Sequence, residues 1–155
     1  MVQFSFLPSG ETSELAADIR ELFDDFASSL THDQRAYSGE YRPALDVVET
    51  DEAVDVVMDV SGVPAEAIRV LFRAGVLIVA GEKAPPRPED AKSFHLLERQ
   101  FGRFARGIRL EGAFDIRQSR ATLRDGELVV TLTKLVERRG RGHIIPVTTR
   151  EESAP

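Results

Sequence analysis

Residues 54–60 have the sequence Val-Asp-Val-Val-Met-Asp-Val, and this stretch decides the fold. Apolar side chains recur at every second position, which is the period of a β-strand with one buried face. Asp55 and Asp59 fall on the opposite face, where water solvates their carboxylates. Gly62 and Pro64 follow and end the segment. The stretch therefore predicts a strand in a sheet that has one solvent-facing side.

Short strands separated by turns are predicted on both sides of this segment. The same period of two, or a short β-branched run, occurs at residues 45–49, 68–73, 76–80, 102–110, 120–123 and 128–132. Asp125-Gly126 is a strong signal for a tight hairpin turn. No room remains between the strands for crossover helices, which excludes a doubly wound parallel sheet. Residues 42–135 are therefore predicted to form an all-β, immunoglobulin-like antiparallel β-sandwich.

Residues 1–41 form an arm that precedes the predicted sandwich. From Thr12 to Leu30 the apolar residues recur at helical spacing, and acidic residues occupy the other face. A lone helix of about 18 residues is marginal in water, so its apolar face needs a partner, either another arm or the sandwich. The large apolar residues of the arm are Phe4, Phe6, Leu7, Leu15, Ile19, Leu22, Phe23, Phe26 and Leu30.

Residues 136–155 are polar and rich in glycine, which predicts a flexible tail. One apolar island interrupts this tail at Ile145-Pro146-Val147. In an extended segment Ile145 and Val147 point to the same side, and Pro146 favours that extended geometry. The island is suited to lie along a sheet edge as an intermolecular strap with two side chains in pockets. The alternative is a last strand that packs on its own domain.

Composition and charge exclude several classes of protein. The chain has 155 residues, of which 42% are hydrophobic and 30% charged, as expected for one folded domain with arms. It has no cysteine, which excludes disulfides, thiol nucleophiles and cysteine-bound metals. A net charge of −6 disfavours nucleic acid, and Arg138-Arg139-Gly140-Arg141 is typical of a solvated linker. No apolar run is long enough for stable membrane insertion and no secretory pattern begins the chain, so a cytoplasmic location is expected.

Patterns typical of catalysis or metal binding are also missing. His32, His95 and His143 are far apart in the sequence and have no metal-ligand spacing. Gly102 and Gly107 are not followed by the Gly-Lys-Ser/Thr ending of a phosphate loop. No nucleophile elbow is present. We therefore expect a protein that is not an enzyme and that has no cofactor and no metal site.

Five short motifs together resemble the small heat-shock protein, or α-crystallin, family. The family signature is matched by residues 121–128, A-T-L-R-D-G-E-L, where Asp125 replaces the usual Asn and Glu127 replaces an apolar residue. The Asp-Gly pair keeps the tight turn. A further departure is Glu111, which stands where the family has proline. The other motifs are Pro43, Asp46 and Glu49; Gly75-Val76-Leu77 through Gly81-Glu82-Lys83; Glu98, Arg99, Gly102, Phe104, Arg106 and Leu110; and Ile145-Pro146-Val147.

The resemblance, to members of the bacterial and plant type, implies an α-crystallin domain at residues 42–135. It also implies an ATP-independent chaperone, or holdase, that binds partly unfolded client proteins under heat or other stress and prevents their aggregation. Family members bind clients through the N-terminal arm, here the arm residues named above, and through a groove that the tail normally covers. The resemblance assigns this groove to Ile68, Val70, Phe72, Ala121 and Leu123, and the strap to Ile145, Pro146 and Val147.

The resemblance further implies a homodimer formed by exchange of a loop strand, with larger assemblies built from it. The connection from Gly81 to Arg99 has a suitable length, and three prolines in residues 85–88 hold it extended. The exchanged strand is Phe94-His95-Leu96-Leu97. Arg106 matches a family arginine near the dimer contact, so we expect an acidic residue of the partner to face it.

The rival interpretation is a β-sandwich adaptor or co-chaperone that binds one native partner and has no holdase activity. Co-chaperone domains of similar fold lack the tail strap and usually the apolar N-terminal arm. This chain has both Ile145-Pro146-Val147 and the arm, which favours the holdase.

Overall fold

The computed structural model describes residues 3–7, 13–29, 41–85 and 94–135, with side chains for residues 16–25, 41–85 and 94–135. The elements are β1 (Gln3–Leu7), α1 (Ser13–Ser29), β2 (Leu45–Glu49), β3 (Ala53–Asp59), a single turn of 3₁₀ helix (Ala65–Ala67), β4 (Ile68–Arg73), β5 (Val76–Lys83), β6 (Gly102–Glu111), β7 (Phe114–Arg124) and β8 (Glu127–Lys134).

In the described ranges, eight strands form two antiparallel sheets. Sheet I has the order β1-β6-β5-β4, and sheet II has the order β2-β3-β8-β7. The inner faces of the two sheets enclose one apolar core, so the predicted all-β sandwich is confirmed. In the part of the chain that the structure describes, no helix is long and apolar enough to cross a membrane.

The core is built from alternate residues of the central strands. In β3, Val54, Val56 and Met58 are buried and the residues between them are more exposed, as residues 54–60 predicted. Each fully buried Val, Leu, Met or Phe side chain contributes about 1.5–3 kcal/mol to folding. The core residues are Val54, Val56, Met58, Val60, Val63, Ala67, Ile68, Leu77, Val79, Phe104, Ile108, Leu110, Phe114, Leu128, Val130 and Leu132.

Two tight hairpins connect neighbouring strands. Ala74 and Gly75 have φ angles of 50° and 76°, and Asp125 and Gly126 have φ angles of 52° and 83°. Two consecutive positive φ angles define the type I′ turn, whose twist matches that of the flanking strands. A Cβ atom on Gly126 would lie 3.0 Å from Ser61 Cα, so the turn also packs closely against the segment after β3. The predicted Asp-Gly hairpin is therefore present between β7 and β8.

Two strands extend beyond the sequence-based predictions. β1 pairs antiparallel with β6 from Gln3 opposite Glu111 to Leu7 opposite Gly107, so part of the N-terminal arm adds a strand to sheet I. β7 begins at Phe114 rather than near residue 120, with an irregular register between Asp115 and Arg120. The division of the chain at residues 41 and 135 stays a prediction.

The irregular part of β7 is held by local hydrogen bonds. The Asp115 carboxylate accepts hydrogen bonds from the Arg117 backbone N–H and from the Gln118 side-chain amide, both at 3.0 Å. The Ser119 hydroxyl donates to the Asp115 carbonyl at 2.8 Å. This polar bulge hides the strand from a search for alternating apolar residues.

Candidate functional site

The groove is predicted at the place where the described edge strands of the two sheets meet. β4 is the last strand of sheet I and β7 is the last strand of sheet II. The rings of Phe72 on β4 and Phe114 on β7 pack edge to face, with centroids 5.6 Å apart and an interplanar angle of 83°. This contact places the two edges on the same side of the sandwich.

The five residues predicted to line this groove point to the inner side of the sandwich. Val70 lies opposite Val79, and Ala121 lies opposite Val130, and both of those partners belong to the core. Ile68 is buried, and Phe72 and Leu123 are partly buried against the core. Val70 is 37% exposed and Ala121 is exposed, so the apolar lining opens to solvent between the two strands. Whether these residues bind a strap or a client stays a prediction.

The two strands beside the groove also carry free backbone groups. Within the described residues, β4 pairs only with β5, and β7 pairs only with β8. The outer edge of each strand therefore presents N–H and C=O groups that can pair with another extended segment. An apolar lining beside an open strand edge suits an extended peptide with apolar side chains two residues apart. Ile145, Pro146 and Val147, the predicted strap, lie outside the described residues.

The predicted exchange segment is exposed. Phe94, Leu96 and Leu97 have 54%, 75% and 57% of their surface accessible, and His95 is also exposed. Residues 94–101 contain no strand in the single chain. Three neighbouring large apolar side chains in water are unfavourable and point to a partner surface. Residues 86–93 of the same connection lie outside the described residues.

Arg106 lies on the inner face of β6, opposite Val79. Its guanidinium donates a hydrogen bond to the Pro43 carbonyl at 2.5 Å, which joins β6 to the segment before β2. Partial burial lowers the pKa of Arg106, and the nearby positive charge of Arg42 lowers it further. The expected acidic residue of a partner chain stays a prediction.

Helix α1 packs on the outer face of sheet I. Leu22 is buried against Ile78 and Ala80, with Ile19 and Phe23 packed beside it. The sandwich is therefore one partner of the predicted apolar helix face. The side chains of Leu15 and Phe26 and the whole of Leu30 lie outside the described set. So do the side chains of Phe4, Phe6 and Leu7, whose backbone lies in β1. Client binding by the arm stays a prediction.

Comparison with known proteins identifies the family. The model of the Hsp20/alpha crystallin family matches residues 46–148. The chain belongs to the Hsp20/alpha crystallin family. It is 31% identical to heat shock protein 16 of Schizosaccharomyces pombe over 119 residues, which are 76% of this chain and 83% of that protein. It is 33% identical to an 18.9 kDa heat shock protein of Oryza sativa subsp. japonica over 146 residues, or 89% and 82% of the two chains.

A solved structure agrees with this assignment. Heat shock protein 16.0 from Schizosaccharomyces pombe superposes with a TM-score of 0.60 at 28% identity, covering 69% of this chain and 99% of that chain. The Hsp20/alpha crystallin family consists of small heat shock chaperones, which are not enzymes. Within the described ranges, no cluster of three or more His, Cys, Asp or Glu side chains could hold a metal ion.

Beside the strands of this Hsp20 domain lies a cluster that the sequence analysis missed. The Lys83 ammonium lies 4.8 Å from the centroid of the Tyr41 ring and 5.9 Å from that of Phe101. Burial lowers the pKa of Lys83, and the charge of Arg99 adds to this effect. The Arg99 guanidinium also lies 5.2 Å from the Phe101 ring centroid. The cluster joins the end of β5 to the residues that follow the exposed 94–97 segment.

Tyr41 anchors the same cluster to both sheets. Its ring packs edge to face on Phe104 at 5.5 Å, and its hydroxyl donates a hydrogen bond to the Asp59 carbonyl at 3.0 Å. Burial raises the pKa of Tyr41, with a further contribution from the negative charge of Asp59. These residues are too far apart in the sequence for their spacing to have revealed the cluster.

Proposed function

We propose that this Hsp20-family chain is an ATP-independent holdase that binds partly unfolded proteins and prevents their aggregation. The observation that carries the proposal is the pair of neighbouring edge strands β4 and β7, which flank the proposed groove. It combines an apolar lining, in which Val70 and Ala121 are exposed, with the unpaired edges of two strands. This chemistry matches an extended apolar segment rather than a small substrate.

Partly unfolded proteins expose such segments. Transiently exposed apolar surface and unpaired strands make these species prone to aggregation. A client segment beside β4 or β7 would add main-chain hydrogen bonds to the sheet and place alternate side chains against Val70 and Ala121. One such contact is weak, but several grooves held in one assembly raise the avidity for a client with several exposed segments. The cycle involves only binding and release, so it needs no nucleotide.

The tail strap regulates access to the groove in this proposal. Ile145 and Val147 have the two-residue spacing that the groove accepts, and Pro146 between them reduces the entropy lost on binding. A strap from a neighbouring subunit would occupy the lining residues and join two dimers. Its release frees the groove for a client. The tail at residues 136–155 is therefore proposed as a linker between subunits rather than as part of the core.

The dimer is proposed to form by exchange of the segment Phe94–Leu97. Its apolar side chains are exposed in the single chain, and β2, the end strand of sheet II, has a free outer edge among the described strands. Pairing with another chain would bury the apolar patch and satisfy that edge. A cytoplasmic location is proposed for this assembly on the strength of its family.

A turbidity experiment tests the function. A thermolabile client is heated alone, with this protein, and with an equal mass of an unrelated β-sandwich protein. We expect this protein to suppress light scattering in proportion to its concentration, with no change on addition of ATP. Scattering equal to that with the unrelated protein would contradict the holdase proposal and favour the adaptor. Suppression only in the presence of ATP would contradict ATP independence.

A further inference from the structure

The outer face of sheet I has an apolar centre. The side chains that point away from the core are Leu71 on β4, Val76, Ile78 and Ala80 on β5, and Ala105 on β6. Ile78 and Ala80 are fully buried although they face away from the sandwich interior. A central strand with both faces buried requires a second covering layer. Helix α1 supplies that layer.

Arginines lie at both ends of this apolar centre. Arg73 on β4 and Arg109 on β6 flank Val76 at one end, in register across the sheet, and both are exposed. Arg103 lies at the other end and is 3.5 Å from the carboxylate of Glu82. Arg69 lies beside Ala80, with its guanidinium donating to the Glu66 carbonyl at 2.7 Å. The face is therefore an apolar strip that is positively charged at the end with Arg73 and Arg109, whereas Glu82 balances the charge of Arg103 at the other end.

The charges on α1 are complementary to this face. Residues 13–29 contain five acidic residues and one basic residue. The Asp18 carboxylate accepts a hydrogen bond from the Arg73 guanidinium at 2.5 Å, and Glu21 lies 3.9 Å from the same group. At the other end, the Arg103 guanidinium lies 5.2 Å from the ring centroid of Phe23. Leu22 fills the centre between these contacts.

This docking is suited to exchange. Among residues 16–25, Leu22 alone is buried, and the Arg73 side chain that pairs with Asp18 is 54% exposed. Exposed ion pairs contribute little stability and weaken with salt. A helix of this length is marginal once it leaves its partner, so undocking and unfolding of α1 are coupled. The vacated face would keep its strands, because the core lies on their other side.

We propose that the outer face of sheet I is a receptor for acidic amphipathic helices, filled by α1 at rest and by such segments of client proteins when α1 leaves. The inference rests on the proposed holdase function for its second occupant. It adds a class of client segment that the groove between β4 and β7 does not take. The groove fits extended apolar strands, whereas this face fits a helix with an apolar stripe and acidic flanks.

The receptor can be tested with a labelled peptide that has the sequence of residues 13–29. In the full chain, the substitution Leu22→Asp weakens the docking of α1 on sheet I. Fluorescence anisotropy then measures binding of the labelled peptide to this variant and to the wild type. We expect the variant to bind the peptide at least about tenfold more tightly than the wild type, in which α1 competes. Circular dichroism monitors the fold. A second variant, Asp18→Lys with Glu21→Lys, weakens docking through charge alone and should also bind the peptide more tightly.

Charge exchange tests where the peptide binds. In the Leu22→Asp background, Arg73→Glu with Arg103→Glu should lower the affinity for the peptide by about tenfold or more. A peptide carrying Asp18→Lys and Glu21→Lys should recover the part of the affinity that Arg73→Glu removes, because both positions lie beside residue 73. Arg117→Glu with Arg124→Glu places the same charge change on exposed β7 positions and should have no effect. Equal affinities on all variants, or no binding to a folded Leu22→Asp protein, would overturn the proposal.

A heated client should displace the labelled peptide from the Leu22→Asp protein. Failure of every aggregation-prone client to do so, while peptide binding persists, would overturn the client part of the inference. The holdase function is measured separately as protection of a client by the wild type. Protection of the client without peptide binding would contradict the receptor proposal and leave the holdase function supported. Peptide binding without protection of the client would contradict the holdase function and leave the helix-binding face supported.

Discussion

Phe72 and Phe114 pack edge to face with ring centroids 5.6 Å apart, and this contact joins the edge strands of two different sheets. Phe114 is buried and Phe72 is partly buried, so the pair closes the core beside the predicted β4–β7 groove. Further along the strands, Val70 and Ala121 have smaller side chains, and the lining is open to solvent. The aromatic pair thus fixes the relative position of the two edge strands that flank the predicted groove.

The tail prediction concerns Ile145→Gly combined with Val147→Gly. Burial of each side chain contributes up to about 1.5–3 kcal/mol, and a closed assembly repeats the contact. We expect the double variant to shift the mass measured by multi-angle light scattering from a larger assembly toward the dimer. Thr148→Gly with Thr149→Gly is the matched control and should leave the mass unchanged. An unchanged mass in the Ile145 and Val147 variant of a larger wild-type assembly would refute the strap.

The loop prediction concerns deletion of residues 86–95. The deletion removes part of the exposed segment but none of the eight strands, so the sandwich should stay folded. We expect a monomer by analytical ultracentrifugation and a β-rich circular dichroism spectrum. Replacement of residues 86–91 by a glycine-serine linker of equal length keeps Phe94–Leu97 and should still dimerise. A deletion variant that dimerises with wild-type affinity would place the interface elsewhere.

The hairpin prediction concerns Gly126→Ala. At φ 83° a Cβ atom is strained, and it would lie 3.0 Å from Ser61 Cα. A left-handed backbone costs about 1–2 kcal/mol for a residue with a Cβ atom. We therefore expect Gly126→Ala to lower the free energy of unfolding by at least this amount. Urea titration measures it. Asp125→Gly, at φ 52° in the same turn, should change stability by less and is the control. Equal effects of the two substitutions would contradict the turn geometry.

The pH prediction concerns Tyr41, whose pKa is raised above its ordinary value of 10.0 by burial and by Asp59. In the window between the unfolded and the folded pKa, the unfolded chain loses the tyrosine proton first. Stability from this residue is therefore complete below the unfolded pKa and falls as the pH rises through the folded pKa. Tyr41→Phe removes this loss, along with a hydrogen bond worth about 1 kcal/mol.

Urea titrations of the wild type and of Tyr41→Phe over a range of alkaline pH measure the effect. The wild type should be the more stable protein at neutral pH, and its advantage should shrink above the ordinary tyrosine pKa. The lowered pKa of Lys83 changes stability with pH in the opposite direction. Both proteins contain Lys83, so its contribution cancels when one free energy of unfolding is subtracted from the other. A difference in the free energy of unfolding between the two proteins that stays constant through the alkaline range would contradict the raised pKa of Tyr41.

Sequence periodicity predicted the parts of the fold in which side-chain burial follows a regular pattern. The alternation in residues 54–60 and the Asp125-Gly126 turn both correspond to what the structure contains. The start of β7 was missed because Asp115, Gln118 and Ser119 make local polar contacts there. β1 was missed because five residues are too few for a pattern, and its pairing with β6 depends on contacts distant in sequence.

The residues of the candidate site could likewise be predicted only where they follow a regular pattern within one strand. The alternation of Ile68, Val70 and Phe72 predicted residues on one face of a strand, and the structure has all three on the inner side of β4. Ala121 and Leu123 lie on the inner side of β7, and their sharing one groove with the β4 residues stays a prediction. The arginines around the α1 docking face come from two strands that are distant in sequence. Only the pairing of β4, β5 and β6 brings those arginines to one face.

The most direct test of the holdase proposal compares adjacent residues on one strand. Ala121 and Thr122 are both exposed on β7, but Ala121 is on the inner side, where the groove is proposed, and Thr122 is on the outer side. Val70→Asp with Ala121→Asp places two charges in the groove, whereas Thr122→Asp places one on the outer face. The measurement is the turbidity of a heated client with each folded protein. We predict that the groove variant loses protection several-fold while Thr122→Asp protects like the wild type; full protection by a folded groove variant would contradict the account.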